Sequence, residues 1–157
     1  MRLFLFLCLF LFSNLAIAQL YLMGTSVKIV DGDTFDLLTP DQKKYRIRLK
    51  DIDCPEKGQD YYQVAKQFLA VQLAGQNIKV VYTQKDRNGR ILGDVYIGRN
   101  YINLLMVEQG MAWHFIRYSN DPQFAVAEQR ARKYRKGLWH MASAQAPWLF
   151  RKQKPPR

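Results

Sequence analysis

Residues 44–56 read KYRIRLKDIDCPE, and this stretch decides how the chain folds. Tyr45, Ile47 and Leu49 alternate with a series of basic residues, Lys44, Arg46, Arg48 and Lys50. Because successive side chains of a β-strand point to opposite faces, the alternation predicts a half-buried strand with a cationic outer face. The strand leads directly into the polar segment Asp51–Glu56, which ends in Asp53-Cys54-Pro55-Glu56.

Segments on either side of this strand predict four more strands and three helices. A hairpin from Val27 to Leu37 turns at Asp31-Gly32, and two later strands cover 78–82 and 91–97. The spacing of apolar residues and the capping residues predict helices over 60–75, 103–109 and 121–137. Five short strands with interleaved helices indicate an α+β fold. A five-stranded barrel of the oligonucleotide-binding (OB) type fits the strand count.

Length, charge and cysteine content narrow the class of protein. The chain has 157 residues, a net charge of +11 and 48% hydrophobic residues. This length fits one domain, and the apolar fraction excludes a disordered polycation. Two cysteines cannot form a disulfide framework, and no Cys/His cluster suggests structural zinc. A folded and strongly basic domain is expected to bind polyanions, namely nucleic acid, an anionic membrane or an acidic protein.

The two ends of the chain differ from the middle. Arg2, the apolar run Leu3–Phe12 and the triplet Ala16-Ile17-Ala18 predict a signal peptide over 1–18 that is cleaved after Ala18. The predicted destination is the periplasm or the medium. One folded domain is then expected over 19–146, followed by a basic, proline-containing tail over 147–157. The tail either adds nonspecific nucleic-acid affinity by counterion release or has no function.

Three polar segments carry the chemistry: Asp31–Thr34, Arg48–Glu56 and Asp86–Arg90. Cleavage of a phosphodiester needs carboxylates to hold a hard cation and to position or deprotonate a water. It also needs cationic groups that stabilise the charge on the pentacoordinate phosphate, a task that suits arginine. Each segment alone is more simply read as a turn or as solvated surface, but together they supply every one of these groups.

These three segments resemble the staphylococcal thermonuclease family in type, order and spacing. The resemblance extends from Ser26 to Trp139 and includes Gly110-Met111-Ala112 and Gly137-Leu138-Trp139. It implies the OB barrel with three helices. It also implies calcium-dependent hydrolysis of DNA and RNA that leaves 3′-phosphorylated products.

The resemblance assigns the metal ligands residue by residue. Asp33 and Asp53 would supply carboxylate oxygens to Ca²⁺, and Cys54 would supply its backbone carbonyl oxygen. The best-known member of the family has threonine at the position of Cys54. Since the contact is through the carbonyl, coordination is expected to survive, but a thiol beside the metal could be oxidised.

The resemblance also assigns the groups around the substrate. Arg48 and Arg90 would grip the scissile phosphate, and Glu56 would hold the attacking water, either as general base or as a positioning group. Arg87 would lie next to a substrate phosphate, and Tyr118 would form a wall of the nucleotide pocket. Two further departures from the family, at positions 88 and 116, affect base binding rather than the phosphate chemistry.

The leading hypothesis is therefore an exported, calcium-dependent nuclease that acts on the phosphate backbone of DNA and RNA with little sequence preference. It is expected to be monomeric and to have no stable membrane association once the signal peptide is cleaved. One alternative is a non-catalytic nucleic-acid-binding module on the same barrel. Another is a basic envelope protein that adheres to anionic surfaces by charge alone.

Overall fold

The computed structural model describes residues 20–153, and its centre is a closed barrel of five strands. The strands in chain order are β1 (Leu20–Ile29), β2 (Thr34–Leu38), β3 (Lys44–Leu49), β4 (Ile52–Asp53), β5 (Ile78–Lys85), β6 (Ile91–Ile97), β7 (Asn100–Tyr101) and β8 (Trp113–His114). The sheet order is β3-β2-β1-β5-β6-β7, and a parallel pairing of β3 with β6 closes the barrel. The short strands β4 and β8 form a separate antiparallel pair. The predicted α+β class and five-stranded OB barrel are confirmed.

The barrel closes because its strands alternate as the sequence predicts. Ile47 and Leu49 of β3 are fully buried, and so are Phe35 and Leu37 of β2, which pairs with β3. Val80 and Val95 complete the same interior from β5 and β6. At Gly93 of β6, an added Cβ would lie 2.5 Å from a methyl group of Val80, so this close approach of the strands requires glycine.

Within residues 20–153, four α-helices surround the barrel: α1 (Tyr62–Leu73), α2 (Ile102–Glu108), α3 (Pro122–Lys133) and α4 (Pro147–Gln153). The predicted start of α3 is confirmed, since the Asp121 side chain accepts a hydrogen bond from the Gln123 backbone N–H at 2.8 Å. The other boundaries differ from the sequence interpretation. Asp60 does not cap α1, whose preceding residue is Tyr61 in a left-handed conformation, and α3 ends four residues before Gly137.

The fourth helix is an addition to the three that the sequence predicts. It occupies 147–153, the first part of the predicted tail, and it packs on a second apolar cluster outside the barrel. The Trp113 ring makes T-shaped contacts with the rings of Trp139 and Trp148, with 4.2 and 5.8 Å between the ring centroids. The guanidinium of Arg132 on α3 lies 3.7 Å from the Trp139 ring centroid, so this basic side chain has a packing role.

A buried asparagine fixes the end of β3 against β6. The amide group of Asn103 donates to the carbonyl oxygens of Lys50 and Gly93 at 3.0 and 2.9 Å. Its own carbonyl accepts from the Val95 N–H at 3.0 Å. These bonds satisfy backbone groups where the chain turns from β3 into β4, and they therefore hold the Arg48–Glu56 segment in place.

None of the helices within 20–153 is long and apolar enough to cross a membrane. The predicted signal peptide over 1–18 and the last four residues of the predicted tail lie outside the described residues.

A cross-strand ion pair predicts how stability depends on pH. Arg46 of β3 donates to both carboxylate oxygens of Asp36 on β2, at 2.8 and 3.2 Å, and these hydrogen bonds lower the pKa of Asp36. Asp36 therefore binds a proton more tightly in the unfolded chain than in the folded one. The ion pair contributes its full stabilisation above the ordinary aspartate pKa of about 3.9. This contribution is lost as the pH falls through the lower pKa that Asp36 has in the folded protein. We expect Asp36→Asn to reduce the free energy of unfolding by roughly 1–3 kcal/mol at neutral pH and by less once the pH falls below the lowered pKa of the folded state.

Urea unfolding at neutral and acidic pH measures this difference. Asp41→Asn is the matched control, because Asp41 pairs with Lys43 at 2.9 Å but both side chains are exposed. Equal effects of the two substitutions at neutral pH would contradict a stabilising role for the Asp36 pair.

Candidate active site

An open cleft of about 1740 Å³ lies where the loops at one end of the barrel meet α4. All eight residues that the sequence analysis selected contribute to its walls: Asp33, Arg48, Asp53, Cys54, Glu56, Arg87, Arg90 and Tyr118. They come from the β1–β2 loop, from β3, from β4 and the loop after it, from the β5–β6 turn and from the segment after β8. The closure of the barrel thus gathers the three polar segments, which are separate in sequence, and the segment after β8 joins them.

The β1–β2 connection places Asp33 next to Cys54. The connection covers 30–33, and the Asp33 backbone N–H donates to the Asp31 side chain at 3.1 Å. The Asp33 carboxylate accepts from the Cys54 backbone N–H at 2.8 Å, which joins this loop to the end of β4. A Cβ on Gly32 would lie 2.8 Å from the Cβ of Cys54, so the loop approaches β4 this closely only with glycine at position 32.

Arg48 lies between the two carboxylates that the family resemblance assigns to metal binding. Its Nε is 3.0 Å from Asp33 Oδ1, and its Nη2 is 3.1 Å from Asp53 Oδ1. A further bond joins its Nη1 to the carbonyl oxygen of Leu49. Burial of the guanidinium acts to lower the pKa of Arg48, but the charges of Asp33 and Asp53 outweigh burial and raise it. Arg48 is therefore a fixed positive charge in the floor of the cleft.

Burial raises the pKa of two acidic groups near Arg48. Burial, together with the charge of Asp33, raises the pKa of Asp31 to about 7. Burial also raises the pKa of Asp53, although its hydrogen bonds with Arg151 act in the opposite direction. A bound cation would stabilise the charged forms of these buried carboxylates.

Glu56 lies at the edge of the cleft, where water can reach it. Its backbone N–H donates to the Gln59 side chain at 2.8 Å, which holds the loop that follows Pro55. Its side chain is 35% exposed, whereas that of Asp53 is 3% exposed. The two carboxylates therefore differ in environment, one buried among charges and the other next to solvent.

The β5–β6 turn presents two arginines to the cleft in different ways. Arg90 is held by Asp86, which accepts from its Nε at 2.7 Å and from its backbone N–H at 2.9 Å. Burial acts to raise the pKa of Asp86, but these bonds outweigh burial and lower it. Arg87 is exposed at the tip of the turn. Arg90 is thus oriented in advance, while Arg87 remains available to a ligand in solution.

Aromatic residues form another side of the cleft wall. Tyr118 is 69% exposed, and its ring makes a T-shaped contact with the Phe115 ring, with 4.8 Å between the ring centroids. Phe115 is stacked on Trp148 of α4 at 5.4 Å, with an angle of 8° between the rings. This side of the cleft therefore offers an exposed ring on a packed support, beside which a nucleotide base could lie.

The donor atoms of this cleft fit calcium. The described part of the chain holds no group of three or more His, Cys, Asp or Glu side chains arranged to bind a metal ion. The predicted ligand set, however, consists of two carboxylates and one backbone carbonyl, all hard oxygen donors of the kind that Ca²⁺ prefers. Asp33 and Asp53 share the Arg48 guanidinium, and burial raises the pKa of Asp53, so a bound cation would stabilise the charged form of this carboxylate.

The sequence analysis missed one residue of the site. Arg151 of α4 donates to both carboxylate oxygens of Asp53, at 3.2 and 2.7 Å, and to Glu56 Oε1 at 2.6 Å. The sequence pattern places Arg151 in a tail that either adds nonspecific nucleic-acid affinity or has no function. A signal was present, because Pro147 at a first helical position precedes the apolar run Trp148–Phe150. That signal predicts a packed helix, but not which side chain faces the cleft.

An OB barrel with arginines and carboxylates in one cleft, and with exposed aromatic and basic groups beside them, defines a class of enzymes that hydrolyse nucleic-acid phosphodiesters. Comparison with known proteins gives the family. The family model described as "Staphylococcal nuclease homologue" matches residues 46–141, and the chain belongs to this family.

Named relatives agree with this assignment. The chain is 40% identical to an uncharacterized endonuclease of Escherichia coli over 98% of its own length and all of the relative. It is 41% identical to a micrococcal nuclease of Shigella flexneri over 82% of its own length and 80% of the relative. A probable staphylococcal-like nuclease of rice, Oryza sativa, is 40% identical over 71% of the chain but 34% of the relative. The protein is an endonuclease, and the choice between an enzyme and a non-catalytic module is decided for the enzyme.

The position of Cys54 predicts an unreactive thiol. The side chain is buried between Gly32 and the core, and burial raises its pKa well above the ordinary value for a thiol. Since the thiolate is the reactive form, we expect iodoacetamide to label Cys54 only after denaturant is added. Peptide mapping by mass spectrometry, with and without denaturant, separates Cys54 from Cys8. Rapid labelling of Cys54 in the native protein would contradict the buried position.

Proposed function

We propose that this protein is a calcium-dependent nuclease that hydrolyses both DNA and RNA with little sequence specificity. The observation that carries the proposal is the Arg48 guanidinium between the carboxylates of Asp33 and Asp53, at 3.0 and 3.1 Å, in an open cleft. Such a site addresses phosphate and not base edges, which supports low sequence specificity.

Asp33, Asp53 and the Cys54 carbonyl would hold the Ca²⁺. When bound, the cation would supply Lewis-acid polarisation of a phosphate oxygen. Arg48 and Arg90 would bind the scissile phosphate and stabilise the negative charge that it gains in the transition state. Both guanidinium groups are oriented before substrate arrives, Arg48 by Asp33 and Asp53 and Arg90 by Asp86, so little reorganisation is needed during reaction.

Glu56 would hold the attacking water and accept its proton. Its partial exposure beside the buried carboxylates supports this role, because water can reach Glu56 more readily than Asp53. Arg87 and Tyr118 would bind the neighbouring phosphate and base. Neither contact depends on the 2′-hydroxyl of the sugar, which supports activity on RNA as well as DNA.

We further propose that the protein is exported and acts as a monomer without stable membrane association. The support for export is the pattern of residues 1–18, with Arg2 before a ten-residue apolar run and Ala16-Ile17-Ala18 after it.

Digestion of plasmid, single-stranded DNA and RNA tests the proposed activity. We expect cleavage of all three in calcium and none after chelation, because the carboxylates need the cation to bring phosphate to the cleft. Cleavage that continues in chelator would overturn the calcium requirement.

Substitutions in the cleft test the residues. We expect Arg48→Ala, Glu56→Ala and Arg90→Ala each to lower kcat by about 10²–10³, the usual cost of losing one transition-state contact. Arg46→Ala is the matched control for Arg48→Ala, since Arg46 lies on the same strand and pairs with Asp36 outside the cleft. Near-normal turnover by the folded cleft variants would overturn the assignment.

The N-terminal sequence of the protein that the producing cells release tests export. N-terminal sequencing is expected to begin at Gln19, with residues 1–18 removed. An intact Met1 on protein retained inside the cells would contradict the proposal.

A further inference from the structure

Arg151 is attached to the cleft by a helix whose packing leaves it little freedom to move away. Trp148 of α4 stacks on Phe115 and also meets Trp113, and the Phe150 ring lies beside Gly58. The Gln59 side chain donates to the Gln145 carbonyl oxygen at 3.0 Å and joins the chain before α4 to the Glu56 loop. The Arg151 side chain, which is 40% exposed, can therefore change partners without undocking the helix.

The partners of Arg151 are the two carboxylates that the proposed reaction needs. Asp53 Oδ2 accepts from Arg151 at 2.7 Å, and Asp53 Oδ1 is shared between Arg151 and Arg48. Glu56 Oε1 accepts from Arg151 at 2.6 Å. One guanidinium thus occupies oxygens of both the proposed metal ligand and the proposed water-binding group.

A cation that binds Asp53 competes with Arg151 for the same oxygens. Once released, the guanidinium remains charged at any working pH and stays in a cleft where Arg48, Arg87 and Arg90 already attract an anion. The bidentate partner that suits it there is a phosphate. Displacement from Asp53 therefore turns Arg151 towards the substrate.

We propose that Arg151 is a fourth substrate-binding arginine of the active site, which exchanges Asp53 for a substrate phosphate when the cation binds. The proposal rests on the proposed calcium dependence. It makes the C-terminal helix, which lies beyond the matched region 46–141, a part of the catalytic cleft.

Two affinities measured on the purified protein test the exchange. Isothermal titration calorimetry gives the affinity for calcium alone, and then the affinity for thymidine 5′-monophosphate in saturating calcium. This nucleotide has a phosphate but no diester to cleave. We expect Arg151→Gln to bind calcium about tenfold more tightly and the nucleotide about tenfold more weakly, within the usual range for coupled sites of roughly 5–150-fold.

Two further variants separate the exchange from general electrostatics. Lys152→Gln removes the same charge from the next residue of α4, which also lines the cleft but has no bond to Asp53 or Glu56 in the described structure, and it is expected to change each affinity less than Arg151→Gln does. Arg151→Lys keeps the charge but loses the planar fork, so it is expected to change both affinities in the same directions as Arg151→Gln. Arg151→Lys also provides the test of the exchange if Arg151→Gln fails to fold.

Each other result would overturn the proposal in a distinct way. Equal effects at positions 151 and 152 would mean that net charge alone acts. If the Arg151 variants bind both calcium and the nucleotide more tightly than the original protein, Arg151 only blocks the site. If they bind both more weakly, Arg151 only supports the structure. Unchanged affinities for calcium and the nucleotide would exclude any role of Arg151 in binding. If neither the original protein nor the Arg151 variants bind calcium, the proposed calcium dependence itself fails, and the exchange fails with it.

Discussion

The geometry of the cleft depends on one buried guanidinium, that of Arg48. Taking Asp33 and Asp53 out of water is costly unless a positive charge lies between them, and Arg48 is within 3.1 Å of both. Removal of Arg48 would leave two carboxylates in the floor of the cleft without the charge that joins them. The shared guanidinium fixes the β1–β2 loop against the end of β3 and against β4, through the same groups that the proposed phosphate chemistry uses.

The rest of the fold supports this arrangement from two sides. Asn103 of α2 ties the turn after β3 to β6, so the segment that carries Asp53 and Glu56 has a fixed path. Outside the barrel, the tryptophan cluster holds α4 against the Glu56 loop and brings Arg151 to the carboxylates. The site is therefore built on the barrel and completed by a helix that does not belong to it.

The sequence predicts much of this structure because its strongest signals are local. The alternation at 44–50 predicts β3, Asp121-Pro122 predicts the start of α3, and the three polar segments meet because barrel strands end together. Boundaries that depend on tertiary contacts were not predictable. Tyr61 precedes α1 in a left-handed conformation that no capping pattern indicates, and the pairing of Arg151 with Asp53 spans 98 residues. A contact that distant leaves no periodicity to detect in a single sequence.

The tryptophan cluster also gives the molecule an optical property. All three tryptophans of the chain, Trp113, Trp139 and Trp148, lie in that cluster, with Arg132 against two of the rings. The tryptophan fluorescence of the protein therefore arises from this one cluster. It reports how α4 is seated beside the cleft, because the barrel interior contributes no tryptophan.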